Sequence, residues 1–555
     1  MFRIKYIIVL LILNVLSSNI YALNILKDIR KNIDSRLTTY NHTRADKYFE
    51  GLSYIKAIEK YGKVLERNFS PDSLLRKLAI SYFKIGDTRN AEIIFKKLVT
   101  KSESESLDIY YYAQSLKYNE KYDEADIWIK KYRSIKNDDS RGELQYQAAP
   151  LIKDIYSVEK YKIDTVRFNS KYSDFGAVVY NNKIFFASGR NDKAIIQYNY
   201  SWKGDPFLDV YQTYVEDTLA KPKIITKGLN SRFHDGPIFF SDKSEEVYIT
   251  RNDFKSGLPR YSGKKENNFK LYWAKKTKDK WGELEEMPFN SKEYSCGHAS
   301  VSIDGKVIYF ASDMPGGYGG SDIYYSIRTS NGWDTPVNLG PKVNTEGDEM
   351  FPFIGRDGDL FFTSNGHIGL GGLDIFIARL DLNNNYIICN MGYPLNSSSD
   401  DFSFYLEGNG EQGYFASNRS GGKGDDDIYK FTILQKTYPQ IGTTIHYDLS
   451  KWEIRADAAI ELDKVLQYLQ NNKSRTIELA SHTDARGLKK FNQVLSQKRA
   501  RSAVDYLVSK GIKPDRITAI GYGETKLKNT CSDGIKCTEE EHQENRRTEI
   551  KIIDF

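Results

Sequence analysis

Cysteine and histidine are both scarce, at 4 and 7 in 555 residues. No two histidines stand at the spacing of metal ligands, so a zinc centre is not indicated. The His-Glu-x-x-His signature and the Gly-x-Ser-x-Gly elbow are both missing, which removes two common routes to hydrolysis. An excess of charge of one sign is lacking too: 80 Lys and Arg against 74 Asp and Glu leave +6, too little to imply nucleic acid. Beyond Ala22 no apolar run is long enough to cross a membrane as a helix.

What is present starts at the N-terminus. Arg3 and Lys5 precede an apolar stretch, Ile7 to Leu16, interrupted only by Asn14. Small and polar residues follow up to Ala22, the expected cleavage point of a signal peptide over 1–22. An uncleaved anchor is the alternative, although the run is short for one. No cysteine follows the apolar stretch, so lipid attachment is not expected. The chain is read as exported to the periplasm. There, Cys531 and Cys537, separated by five residues in a polar loop, read as a local disulfide. Cys296 and Cys389 are left unpaired.

A chain of this length needs three or four cores. Residues 36–135 repeat with a fixed period: Ala45, Ala79 and Ala113 share one register, and Ala57, Ala91 and Ala125 a second. Tyr61, Phe95 and Ile129 follow one helical turn after the second register. Small residues let two helices approach, and the large residue one turn on fills the gap beside them. A period of about 34 residues with this spacing resembles the tetratricopeptide repeat, which implies a concave surface for partner proteins and no chemistry.

Residues 155–435 change to short alternating runs. One unit recurs as Phe185-Phe186-Ala187-Ser188, Tyr309-Phe310-Ala311-Ser312, Phe361-Phe362-Thr363-Ser364 and Tyr414-Phe415-Ala416-Ser417, with Tyr248-Ile249-Thr250-Arg251 a variant. A Gly-rich stretch and a second strand follow, opening at Asp322, Asp374 and Asp427 in the last three units. Asp304-Gly305, Asp357-Gly358 and Asn409-Gly410 precede the first strand, as tight hairpins require. The reading is a β-propeller of five blades, or six if the longer early units hide a degenerate one, resembling the PD40 (WD40-like) family. Tyr161 to Val166 is expected to close the ring on the last blade. The recurrent aspartates read as turn acceptors for backbone N–H groups. The Gly-rich loops join two strands, so they are poor phosphate cradles. The linker Gln435–Gln440 ends this region.

Residues 441–555 alternate strand and helix and read as a two-layer α/β sandwich. Ala458, Leu462, Val465, Leu466 and Leu469 form one helical stripe. Phe491, Val494, Leu495, Ala503, Val504 and Leu507 are assigned to the next. Asp484 ends a strand and Arg499 lies fifteen residues on, beside the packed helix face, where a cation needs an anion. Spacing alone leaves a structural ion pair and a ligand site equally open. His482-Thr483-Asp484, then Asn492, Leu495, Ser496, Arg499 and Ala500, then Gly521-Tyr522-Gly523-Glu524 and Asn545-Arg546-Arg547 closely resemble the OmpA-like peptidoglycan-binding domain.

That resemblance implies that Asp484 and Arg499 hold diaminopimelate of the stem peptide, ammonium on Asp484 and carboxylate on Arg499. It also implies binding roles for Thr483, Asn492, Leu495, Ser496 and Arg547, and a structural role for His482. No catalytic residue, cofactor or metal is implied. The domain order is similar to cell-wall anchor subunits of the type IX secretion and gliding machinery of Bacteroidetes-type bacteria. It implies a non-catalytic scaffold on the cell wall at the outer membrane, with proteins of an envelope complex as partners. A propeller-containing hydrolase acting on peptides or cell wall is the alternative.

Overall fold

The computed structural model describes residues 34–101, 104–144, 159–190, 202–215, 220–225, 228–241, 243–255, 258–278, 280–381, 385–434, 440–473 and 475–552, with Lys27 and Lys31 besides. The expected signal peptide and most of the 435–440 linker lie outside them.

The N-terminal region is helical. A helix over 34–50 is followed by Tyr54–Leu65, Asp72–Lys84, Thr88–Val99, Ser106–Tyr118 and Tyr122–Ile135. Ala45, Ala57, Ala79, Ala91, Ala113 and Ala125 are all buried, and so are Tyr61, Phe95 and Ile129. The repeated pattern therefore marks the packed seams between helices. Gly86, at a φ of 84°, turns the chain after Asp72–Lys84. The Asp87 carboxylate caps the next helix by accepting from Asn90 N at 3.2 Å. Arg76 donates twice to buried Asp108, at 2.8 and 2.9 Å, tying one helical pair to the next.

The middle region holds, among the described residues, five antiparallel sheets of four or five strands. Their first strands are Asp174–Tyr180, Asp235–Ser241, Cys296–Val301, Glu349–Ile354 and Asp401–Leu406. Each first strand packs on that of the next sheet, and Asp401–Leu406 also packs on Asp174–Tyr180. Tyr161–Thr165 pairs antiparallel with Asp427–Ile433, so the fifth sheet takes its outer strand from before the first. The Phe-Ala-Ser unit is the second strand of a sheet, buried from end to end where Leu360–Ser364 lies in the fourth. Gly305, Gly358 and Gly410 have φ of 74°, 88° and 68°. The hairpin reading requires such positive values.

The recurrent aspartates are turn acceptors. Asp322 accepts from Tyr318 N at 2.7 Å and Gly319 N at 3.3 Å, and Asp427 from Lys423 N at 2.6 Å and Gly424 N at 3.0 Å. A side chain at Gly317 would meet the Asp322 carboxylate at 2.6 Å, so the Gly-rich loops wrap these aspartates closely. Every first strand shifts register once, with Gly176, Gly236, His298, Phe351 or Ser403 at positive φ inside the shift. Beyond these bulges a cavity of about 460 Å³ opens between the sheets, walled by Val178, Phe239, Val301, Phe353 and Tyr405, with Arg356 at its rim.

Four first strands open on a buried acid. Asp174, Asp235 and Asp401 each take an arginine, while Glu349 makes no ion pair among the described residues. It accepts instead from Thr345 N and Oγ1, both at 2.7 Å, and from Ser364 Oγ. Burial pushes its carboxyl up to about 7, against the opposing pull of those donors. The folded state thus keeps a proton that the unfolded chain releases above its ordinary value near 4.5. Stability is expected to fall as pH rises from 4.5 to 7. Melting temperatures across that window should slope less in Glu349→Gln than in wild type.

The C-terminal region is a four-stranded sheet in the order Gln440–His446, Arg547–Ile552, Ile477–Ser481, Ile517–Gly521. Helices Ala456–Asn471 and Lys489–Ser509 supply its second layer. Leu462, Val465, Leu469, Leu479, Ala503, Leu507 and Ile550 share the core. Phe491 and Val494 do not join it: they are 52% and 51% exposed, contrary to the stripe expected from the sequence. The buried face of that helix instead runs Asn492, Leu495, Ser496, Arg499, Ala503 and Leu507.

Candidate peptidoglycan-binding site

Ile477–Ser481 pairs parallel to Ile517–Gly521 on one side and antiparallel to Arg547–Ile552 on the other. The segment after it stays tied to both neighbours. His482 N donates to Arg547 O at 2.8 Å, and Thr483 N to Gly523 O at 2.9 Å. Asp484 is thereby delivered to the end of the sheet. The adjacent strand starts at Arg547, so Arg546 stands beside Asp484 and donates to its carboxylate at 2.8 Å. Arg486 reaches back to the same carboxylate, also at 2.8 Å, and bridges to Glu539 at 2.8 Å. Arg486 and then Arg546 hold the Glu539 carboxyl down at about 2.

Arg499 projects from the helix and is fully buried. It does not pair with Asp484, so the structural ion pair that spacing left open is not formed. Its Nε donates to Lys451 O at 2.8 Å, Nη2 to Asp448 O at 2.9 Å and Nη1 to His482 O at 3.2 Å. The guanidinium lies 5.0 Å from the centroid of Tyr447. Among the described residues it makes no ion pair. Burial, set against a smaller opposing pull from Tyr447, lowers its pKa to about 10, so it remains charged at neutral pH.

The other expected residues divide. Asn492 is buried and donates to Asp484 O at 3.2 Å and to the Glu524 carboxylate. Ser496 accepts from Gly523 N at 2.8 Å, holding the Gly-Tyr-Gly turn against the helix. Leu495 is buried on the same helix face. The Thr483 hydroxyl is buried and makes no hydrogen bond among the described residues. Arg547 turns away to Glu549, at 2.7 Å. Two arginines stand at Asp484, Arg486 and Arg546, and neither is among the ligands expected from the sequence; only the place of Arg546 in the Asn545-Arg546-Arg547 motif points there. His482 stacks on Tyr522 at 5.4 Å, and burial lowers its pKa to about 4, so it is a neutral wall of the site.

Cys531 and Cys537 form the expected disulfide, and Cys296 and Cys389 are free. The bridge precedes the helix Glu539–Asn545, whose Thr538 cap accepts from Glu541 N. That helix carries Glu539. Closing a loop with a sequence separation of 6 contributes about 2 kcal/mol by chain entropy. Reducing the bridge, or substituting both cysteines by serine, should lower the stability of the C-terminal domain by about that amount in denaturant titration. The melting of the helical region should not change.

The OmpA family matches residues 447–540. The peptidoglycan-associated lipoprotein of Buchnera aphidicola subsp. Baizongia pistaciae is 32% identical over 156 residues, 28% of this chain and 82% of that protein. The peptidoglycan-associated lipoprotein of Rhizobium meliloti is 37% identical over 97 residues, 18% of this chain and 54% of the relative. The chain thus spans only about half the length of that relative. Among solved structures, the peptidoglycan-associated lipoprotein from Burkholderia pseudomallei aligns with 20% of this chain and 89% of its own, at 24% identity and a TM-score of 0.18.

Proposed function

The chain belongs to the OmpA family through its C-terminal domain, and on that premise we propose that it grips peptidoglycan non-covalently and acts as a periplasmic scaffold at the outer membrane. The observation that carries the reading is Arg499, a buried cation with no ion pair among the described residues, held on the segment that carries Asp484. Burying a charge in that state is unfavourable unless an anion completes the site. A diaminopimelate side chain would supply one, with its carboxylate on Arg499 and its ammonium on Asp484. Arg486 already occupies Asp484 with a cation and has a 38% exposed side chain, so it is the group that the ammonium would displace. Thr483 and Asn492 would add neutral contacts.

The helical region is read as tetratricopeptide-type repeats and the five sheets as a PD40-type propeller. Their task would be to hold partner proteins of an envelope complex, of the kind built around type IX secretion and gliding. No catalytic step is assigned to any of the three regions.

The test is co-sedimentation of the full chain with purified sacculi, with free diaminopimelate as competitor. Pelleting that the competitor reverses supports the reading, and a chain that stays in the supernatant removes it. Release of soluble wall fragments in the same tube would identify a hydrolase instead.

A further inference from the structure

The loop between helix Ala456–Asn471 and strand Ile477–Ser481 of the C-terminal domain carries Arg475, which is only 2% exposed. Its side chain crosses to the fourth sheet of the middle region. Nη1 donates to Asp357 Oδ2 at 3.2 Å, and Nη2 donates to Asp357 O at 3.3 Å and to the Asp359 carboxylate. Asp359 is 1% exposed and is shared with Arg379, whose Nε donates to it at 2.8 Å from within the same sheet. Among the described residues the cluster thus sets two buried guanidiniums against two carboxylates. Asp357 belongs to the Asp357-Gly358 hairpin, whose neighbour Arg356 stands at the rim of the cavity described above.

The loop is braced on its other side. Arg516 donates to the backbone oxygens of Leu469 at 3.0 Å, Asn472 at 2.7 Å and Arg475 at 2.9 Å. The side chain that crosses to the middle region therefore leaves from a fixed backbone. A planar guanidinium on two carboxylates also constrains direction, which a lysine in the same place would not. A domain merely tethered by residues 435–440 would have no reason to bury an arginine against another domain's hairpin, because desolvating a lone cation is unfavourable.

We infer that Arg475 latches the C-terminal domain to the fourth sheet of the middle region, so that the two move as one body and the Asp484 site is held at a set orientation. The latch stands whether or not the C-terminal domain binds the wall. Its occupant is this chain's own hairpin, and its recognition chemistry is a guanidinium fork on paired carboxylates.

The experiment measures one distance distribution in the full chain by pulsed electron resonance. Spin labels go at exposed Ser330 and Lys513 through non-thiol chemistry, sparing Cys296 and Cys389. A narrow distribution is expected in wild type and one at least twice as wide in Arg475→Met. Arg475→Lys, which keeps the charge and loses the fork, should fall between them. Unchanged circular dichroism, and sacculus pelleting retained in the variants if wild type shows it, separates loss of the latch from loss of folding. A wide distribution in wild type would mean that the domains are not joined. Equal, narrow distributions in wild type and Arg475→Met would mean that something other than Arg475 joins them. Either result overturns the inference.

Discussion

Asp484→Ala should reduce pelleting with sacculi by about 10- to 100-fold in affinity, since a charge-assisted hydrogen bond contributes about 1.5–3 kcal/mol. The substitution also leaves Arg546 with Glu539, at 2.6 Å, as its remaining carboxylate, so the fold keeps a counter-charge for it. Arg499→Ala should abolish pelleting to a similar or greater degree, but it has a second effect. It strips the donors from Lys451 O, Asp448 O and His482 O. His482 is buried, so its carbonyl left unsatisfied costs about 1–3 kcal/mol, whereas Asp448 and Lys451 are exposed residues. Arg499→Lys is therefore the informative companion: it retains the charge, loses the fork and disturbs fewer carbonyls. Folded variants that pellet as well as wild type would leave Asp484 and Arg499 with separate structural roles, and the wall reading would fail.

Phe95→Ala is expected to unfold the helical region or bring it close to unfolding. The ring is fully buried in a cluster with Ala79, Ala91, Leu98, Tyr112 and Ala113. Truncating a buried phenylalanine costs about 3–5 kcal/mol, a large part of the roughly 5–15 kcal/mol that holds a typical domain together. Stacked helical units depend on their neighbours, so the loss spreads along the array. Ile93, by contrast, is 56% exposed. Its replacement by alanine should change stability by about 0.5 kcal/mol or less. Denaturant unfolding followed by far-ultraviolet circular dichroism reads both, and a Phe95→Ala midpoint equal to that of wild type would contradict this packing.

Much of this architecture was legible because it repeats. Alanine at 45, 79 and 113 has one physical reason, close helix contact, and three occurrences expose it. The aspartates at 322, 374 and 427 were readable as turn acceptors for the same reason. The C-terminal helix was harder. Its N-terminal half buries Asn492, Ser496 and Arg499 and exposes Phe491 and Val494, so apolar periodicity points to the wrong side. Those polar side chains make hydrogen bonds on the buried face in place of apolar contacts. Arg546 at Asp484 depends on which strand neighbours which, across 62 residues, and apart from the Asn545-Arg546-Arg547 motif no local pattern reports it. Arg475 was invisible for a similar reason: its aspartate partners lie 116 and 118 residues earlier.

The Arg475 cluster has a mechanical consequence. With the latch inferred above, a pull on the C-terminal domain reaches the middle region along the covalent chain through residues 435–440 and, among the described residues, through the buried ion cluster. Six residues of chain can extend to about 20 Å before they draw taut. An ion pair separates within a few ångströms. Small loads are therefore borne by Arg475 and its two aspartates, with little give, and the peptide connection takes over only after the cluster has parted. The joint is stiff at first and slack afterwards, and the transition between those regimes is set by three side chains.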